Sequence, residues 1–531
     1  MQHTIKVLLN TIASFSRVII NAVATLVATR IALRVLGDAD FGLYNLLAGV
    51  VMLFSFVNGT LMISAQRFFS IAIGENNYDK LTRYYNASIS IHLLLGLFIV
   101  LLLFGLRFFL FDSWLNITPE QAVVGVRVYD IMIISSFITI ITIPYSAIMN
   151  AHEDMVMMAF TDILSCIVKL MAAIMLLFIN HDRLLIYSTM MLGATMIKAV
   201  IEYIWSKNRY SEIYESIIYI KDLSRIKEMF GFVGWNTLGS TSVLIRNQGV
   251  ALVLNIFFGT VVNTAYGIAN QINSMVLSFS STLTTVFSPV IIQAKGSGNE
   301  ERMRQIAVFS SKMSFLLSSI IALPILLFLR QILNLWLIEY PDITFEFCYL
   351  IVLSFLILQL YPGINRAIYA SGKIKLYQIA MSILLVSIIP IGILLFRSGF
   401  PPYAIVVAML FSQIGTLLVT NYYGVKYCGF TYRDLFINIV FKPVLIFITV
   451  LAISYFIIYS LPLSFFSGQS RNSIIWLILF GIVIDAIFVS IYFHAVLNTN
   501  EKKVIKGLLS MLKNRIQNKC WHEKNNRKSY K

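Results

Sequence analysis

Three cations fall where a lipid bilayer penalises them. Arg17, Lys169 and Arg246 each lie deep in an apolar run, with no Asp or Glu within four residues. A guanidinium keeps its charge in a protein. An ionisable side chain at the bilayer centre costs roughly 2.5–3.5 kcal/mol on insertion scales, so it faces protein, a wet cavity or a partner. The Arg fork binds phosphate oxygens bidentately, so an anion bearing such oxygens suits these groups. The competing reading is an interhelical salt bridge. Asp162 is seven residues before Lys169 on the same helical face, about 10 Å away along the axis.

The other charges sort differently. Arg127 and Asp130 stand at i, i+3 and read first as a local ion pair, with a substrate-facing role for Arg127 as the alternative. Arg30 and Arg34 close the first helix, where its dipole favours a cation; Arg30 is also a candidate guide for a departing anionic headgroup. Lys198, at i, i+4 from Glu202, and Lys312 lie near helix ends and read as snorkelling. Asp485 stands alone in the middle of the last apolar run. Asn21, Asn247, Gln248, Asn270, Gln271 and Asn273 are polar candidates beside the deep cations. Their amides suit sugar hydroxyls, and equally suit helix–helix hydrogen bonds.

The elements that carry these residues are membrane helices. Of 531 residues, 58% are hydrophobic and only 12% charged, where a soluble protein carries about a quarter charged. Mean hydropathy is +0.81. Continuous apolar runs of about 20 residues recur along the chain, each able to cross ~30 Å of hydrocarbon. A β-barrel would alternate instead. The fold expected is an all-α polytopic membrane protein with about 14 transmembrane helices. The first of them is read as a retained span, since no cleavage pattern follows it.

An even number of spans puts both termini on one side. Lys and Arg concentrate near the N-terminus, the even-numbered connections and the tail, while the odd-numbered connections hold Arg34, Arg107, Arg183, Arg330, Arg397 and Arg471. The positive-inside rule therefore assigns both termini to the cytoplasm. The net charge of +16 follows from this topology, so no nucleic-acid partner is expected. The tail 498–531 holds ten Lys/Arg against two acids and is expected to lie on anionic lipid. Ile213, Ile217, Ile220 and Leu223 recur at helical spacing in the longest connection, 206–230, which reads as an amphipathic interfacial linker.

The chain also reads as a repeat. "FGLYNLLAGVVMLFSF" (41–56) and "YGIANQINSMVLSFSS" (266–281) coincide at Gly42/Gly267, Asn45/Asn270, Val51/Val276, Phe54/Phe279 and Ser55/Ser280, an offset of 225. Six helices separate the copies, so both have one orientation. The expected organisation is an N-lobe over 1–205 and a C-lobe over 231–425, parallel and related by an axis along the membrane normal. Extra helices over 426–497 complete it. In this arrangement Arg17 and Arg246, in matching helices, face one central cavity from opposite walls.

The segments 41–70, 230–281 and "NRAIYASGKIKLY" (365–377) resemble the polysaccharide-transporter branch of the multidrug/oligosaccharidyl-lipid/polysaccharide exporter superfamily, in particular Wzx-type O-antigen flippases. The resemblance implies a MATE-like two-lobe fold with a V-shaped cavity. It implies passage of an undecaprenyl-diphosphate-linked oligosaccharide across the bacterial inner membrane by rocking of the lobes. It also implies that the last two helices form a groove for the lipid tail. Lipid-linked oligosaccharide and membrane lipids are then the expected partners, with polysaccharide polymerase and chain-length machinery beside them.

Other classes fit less well. The segment "ASGKIK" (370–375) lacks the first glycine and the hydroxyl residue of a P-loop, which argues against ATP-driven transport. Loops are too short for a catalytic domain, so no enzyme is expected. The cysteines form no C-x-x-C and the histidines show no ligand spacing, so no metal or cofactor is expected. Lipid II flipping, or cation-coupled drug export by the same fold, are the alternatives. The latter wants acidic cavity residues, and helices 1, 2, 7 and 8 offer none.

Overall fold

The computed structural model describes residues 2–52, 56–111, 119–179, 181–210, 223–337, 340–460 and 471–503. The described residues are helical, with no strand among them. Inside hydrocarbon a helix satisfies its own backbone polar groups, which is why the apolar runs take this form. Large apolar side chains such as Leu101, Phe178, Phe411 and Phe456 point outward, as a lipid-facing surface requires.

The first lobe contains α1 (Leu9–Gly37), α2 (Phe56–Gly74), α3 (Tyr78–Phe109), α4 (Pro119–Ala151), α5 (Met155–Met175) and α6 (Arg183–Arg209). The second contains α7 (Ser224–Gly259), α8 (Thr264–Gly296), α9 (Glu300–Leu327), the pair α10 (Thr344–Leu358) and α11 (Pro362–Ser371), α12 (Lys375–Arg397) and α13 (Ala404–Cys428). The α10–α11 pair bends by 45° at Pro362, where proline removes a backbone donor. Twelve helices among the described residues are long and apolar enough to cross a membrane, thirteen with the bent pair as one span. The further span read at 41–64 runs across 53–55, outside the described residues. Most of the linker expected to be amphipathic (211–222) and most of the tail (504–531) also lie outside the described residues.

Two further helices, α14 (Tyr432–Ile458) and α15 (Ile475–Ala495), pack against α9. Phe315 of α9 meets Phe447 and Tyr492, and the Tyr492 hydroxyl donates to the Lys312 carbonyl at 2.9 Å. Lys312 does not snorkel. It is buried and paired with Glu501, just past α15, at 2.9 Å. The sequence separation of 189 residues hid that partner.

The repeat is present, with a corrected register. Gly37 (φ 78, ψ 171) and Gly259 (φ 79, ψ −168) break the first and seventh helices in the same way. Asn77 and Asn299 cap α3 and α9 with the same bond, each side-chain oxygen accepting from the N–H three residues on. Both pairs are 222 residues apart. Tyr44/Tyr266, Thr60/Thr282, Leu61/Leu283 and Gly74/Gly296 then coincide. The ungapped offset of 225 slides one helix by nearly a full turn, which keeps apolar residues opposite apolar residues and so hides the error.

The lobes meet at one end. There the Arg67 Nε donates to the Tyr369 carbonyl at 2.6 Å and Gln293 donates to the Ala151 carbonyl at 2.5 Å, while deeper along α2 the Thr60 and Ser240 hydroxyls lie 3.3 Å apart. Tyr84 of α3 accepts from Arg225 at 2.7 Å and donates to Glu228 at 2.9 Å, both in α7. This seam lies at the end that carries the 74–78, 151–155 and 296–300 connections. It is the end to which the charge bias assigns the cytoplasm.

Candidate functional site

The C-lobe encloses a cavity of about 690 Å³ between α7, α8, α10, α11, α12 and α13. Its polar wall includes Arg246, Asn247, Gln248, Asn270, Asn273 and Tyr361. No Asp or Glu lines it among the described residues. Arg246 is half-buried, and its Nε and Nη2 both donate to the neighbouring Asn247 Oδ1 at 3.1 and 3.0 Å. A neutral amide does not balance a guanidinium, so the site retains its positive charge for an anion.

Helix geometry builds this wall. Arg246, Asn247 and Gln248 lie about two turns beyond Gly239, and the absent Gly239 side chain lets the Gln378 amide pack against α7. Across the cavity the Tyr361 hydroxyl bonds Thr416 at 3.0 Å and Gln413 at 3.4 Å. Gln378 donates to the Tyr369 hydroxyl at 2.9 Å and to Asn236 at 3.4 Å. Amides and phenols held in this way present donors and acceptors, together with ring faces, to a polar ligand.

Arg17 is elsewhere. Its Nη1 pairs with Asp162 Oδ2 at 2.9 Å, and Lys198 takes the other Asp162 oxygen at 2.5 Å. Lys198 also faces Glu202 at 3.7 Å, and Glu202, almost fully buried, accepts from Ser146 at 2.5 Å and Thr161 at 3.2 Å. So Lys198 is bonded into the lobe and does not snorkel. Lys169, one further pair of turns along α5, is exposed. This N-lobe cluster sets Arg17, Lys169 and Lys198 against Asp162 and Glu202, which leaves one net positive charge.

The expected opposition of Arg17 and Arg246 is therefore not what the fold makes. At an offset of 222, Arg17 matches Gly239 and Arg246 matches Ala24. The two arginines differ by seven residues in depth, about 10 Å. Arg127 is exposed, and its expected partner Asp130 is held instead by Arg107, whose Nη1 lies 2.9 Å from both carboxylate oxygens. A local i, i+3 pair lost to a fork from a neighbouring helix. Arg30 is exposed near the far end of α1. Asn21 is part-buried with its Oδ1 unpartnered, and the exposed Gln271 does not line the cavity.

Several cavity residues were not singled out from sequence: Tyr361, Asn365, Tyr369, Gln378 and Gln413. The signal was present, since each is a polar or amphipathic residue inside an apolar run. Only the charged helices had drawn attention. Arg67 lies in the 41–70 segment with no charged neighbour to mark it, and the fold leaves it only 8% exposed.

Relatives bear on this geometry. The family profile described as polysaccharide biosynthesis protein matches residues 7–295, and the MatE profile matches 242–395. The uncharacterized membrane protein EpsK of Bacillus subtilis (strain 168) is 22% identical over 324 residues. That match covers 60% of this chain and 62% of EpsK. Among solved structures, an outward-facing multidrug resistance MATE family transporter of the MOP superfamily superposes with a TM-score of 0.69 at 13% identity, over 80% of this chain and 96% of that one. A MOP superfamily transporter from Pyrococcus furiosus, for which a reversed polarity of the binding pocket suggests a different function, gives 0.67 at 14% identity, over 81% and 97%. The chain belongs to the polysaccharide biosynthesis protein family, and its fold is that of the MATE transporters of the MOP superfamily.

Proposed function

We propose that this chain is a flippase for an undecaprenyl-diphosphate-linked oligosaccharide, a surface-polysaccharide unit of the O-antigen kind. It would move the headgroup from the cytoplasmic to the periplasmic leaflet of a bacterial inner membrane, with both termini cytoplasmic. The observation that carries this reading is the C-lobe cavity: one guanidinium, no carboxylate among the described lining residues, and a wall of amides and tyrosines. A diphosphate is answered by Arg246, and sugar hydroxyls by Asn247, Gln248, Asn270 and Gln413. The net positive charge around Lys169 supplies the opposing lobe's attraction. The lobe boundaries 1–205 and 231–425, the 206–230 linker, and α14–α15 as a lipid-tail groove belong to the same proposal. So do a polysaccharide polymerase and chain-length machinery as protein partners.

The acid-free cavity weighs against export of cationic drugs, which need a counter-charge in the pocket. The test is a flipping assay in proteoliposomes loaded with a fluorescent polyprenyl-diphosphate oligosaccharide. Arg246→Ala is expected to lose most transport and Arg246→Lys to keep a part of it, because a lysine retains charge without the fork. Wild-type rates in Arg246→Ala would remove the electrostatic basis of the reading. Rescue of cells depleted of their own lipid II flippase would redirect it to that substrate.

A further inference from the structure

A second basic cavity, of about 410 Å³, opens at the seam between the lobes and is lined by Arg67 and Phe68 of α2, Glu228, Phe232 and Trp235 of α7, and the 371–375 turn. Arg67 is more than nine-tenths buried, with its guanidinium between the rings of Phe68 (4.7 Å) and Phe232 (4.8 Å). Its Nε is spent on the Tyr369 carbonyl, but its two η nitrogens have no hydrogen-bond acceptor among the described residues. Lys373 and Lys375 are exposed beside it, and the Lys375 ammonium lies 5.1 Å from the Trp235 ring.

The backbone completes the arrangement. Gly372 has φ +75, and a side chain there would collide with the Arg67 Nη2. That glycine lets the "ASGKIK" turn press against the guanidinium. The turn leads straight into the N-terminus of α12, where unpaired N–H groups and the helix dipole favour an anion. Glu228 is the one acid in the lining; it accepts from the Tyr84 hydroxyl, lies 3.7 Å from Arg225, and its charge also faces Arg67. Three cations against one committed carboxylate leave a net positive cavity. The Arg67 η nitrogens line the cavity and keep donors that a phosphoryl oxygen can take.

We propose that this seam cavity is a binding site for a phosphoryl group, mono- or diphosphate, held by the Arg67 fork from one lobe and by Lys373 and Lys375 from the other. The sequence 370–375 is not a P-loop, yet it serves phosphate chemistry by a different geometry: a glycine turn, two lysines and a helix N-terminus against a distant arginine. Because the donors come from both lobes, the site is whole only while the seam is closed. A phosphoryl ligand that needs all three cations therefore favours that state by its differential affinity. The site is separate from the C-lobe cavity and stands or falls without the transported substrate.

The experiment uses the full chain and the Trp235 signal. Tryptophan emission is followed while sodium pyrophosphate is titrated at constant ionic strength into protein in a neutral detergent. A second arm uses nanodiscs of neutral lipid with and without a polyprenyl diphosphate. A saturable change that is absent in Trp235→Phe is expected. In Lys373→Ala/Lys375→Ala the midpoint should move by about tenfold or more, the scale of one lost charge-assisted contact. These lysines are exposed, so the variant keeps its fold where Arg67→Gln risks losing it. A response to soluble pyrophosphate assigns the site to free phosphate esters, and a response only in loaded nanodiscs assigns it to a lipid headgroup. No saturable response in either arm, an equal response to sodium chloride, or an unshifted midpoint in the double-lysine variant would overturn the proposal.

Discussion

Gly74 and Gly296 meet across the approximate twofold axis of the molecule. A Cβ on Gly74 would overlap the carbonyl of Gln293, and a Cβ on Gly296 would overlap the carbonyl of Ile71. Ile71 and Gln293 are themselves equivalent at the 222-residue offset. Such a reciprocal contact, in which each element presents the same patch to the other, is the signature of twofold symmetry. The two glycines let α2 and α8 close the seam backbone to backbone.

Gly74→Ala should therefore open the seam without harming either lobe. Cysteines at Thr60 and Ser240, whose hydroxyls stand 3.3 Å apart, report on it. Oxidative cross-linking of the Thr60→Cys/Ser240→Cys pair should be efficient in the parent and fall severalfold once Gly74→Ala is added. Unchanged cross-linking would show that the helices give way elsewhere.

The breaks at Gly37 and Gly259 lie in a backbone region that is essentially glycine-only, and such strain costs about 1–3 kcal/mol for other residues. A Cβ at either position meets nothing within 4 Å, so alanine tests the backbone alone. Gly37→Ala and Gly259→Ala should each lower the melting temperature, by similar amounts because the dihedral angles match. A loss confined to one of them would contradict the equivalence of the two breaks.

The Arg17–Asp162 pair is largely buried, and removal of one partner leaves the other charge uncompensated. Asp162→Ala strands Arg17 and leaves Lys198 with Glu202 alone at 3.7 Å, and is expected to cost about 3 kcal/mol. Arg17→Ala leaves Asp162 with Lys198 and should cost less, about 1–3 kcal/mol. The double variant should recover part of the sum, a coupling of about 0.5–3 kcal/mol. Denaturation in mild detergent measures the cycle. Strict additivity would mean that the pair does not interact.

His152, between α4 and α5, ties pH to stability. Burial pushes its imidazole down to about 4, with the Lys6 cation adding to the effect. Its Nε2 is buried without a partner, and its ring stacks on Tyr210 at 4.3 Å. An unfolded histidine titrates near 6.5. The unfolded chain thus takes up a proton before the folded one does. This contribution to stability is complete above about 6.5 and fades as pH falls toward 4. The wild type should lose more melting temperature between pH 7.5 and 5 than His152→Phe, which keeps the stack without the titration. Parallel slopes would place the pH dependence on other groups.

Much of this was legible in the sequence. Hydrocarbon forces each apolar run to satisfy its own backbone, so run length and composition determined the helices and their approximate number. The repeat was legible but not its register: Gly42/Gly267 and Asn45/Asn270 match at an offset of 225, and only the shared breaks at Gly37 and Gly259 and the shared caps at Asn77 and Asn299 set it at 222. The charge of Arg246 within an acid-free stretch marked the cavity wall. What the sequence could not decide was partnership. Arg17 and Asp162 are 145 residues apart, Arg107 and Asp130 belong to different helices, and Lys312 meets Glu501 only because α15 packs on α9. Helix periodicity states which side of a helix a residue occupies and says nothing of the helix it faces. Only the packing of the lobes separated the cations paired with a carboxylate, such as Arg17 and Lys312, from Arg246, which meets a neutral amide.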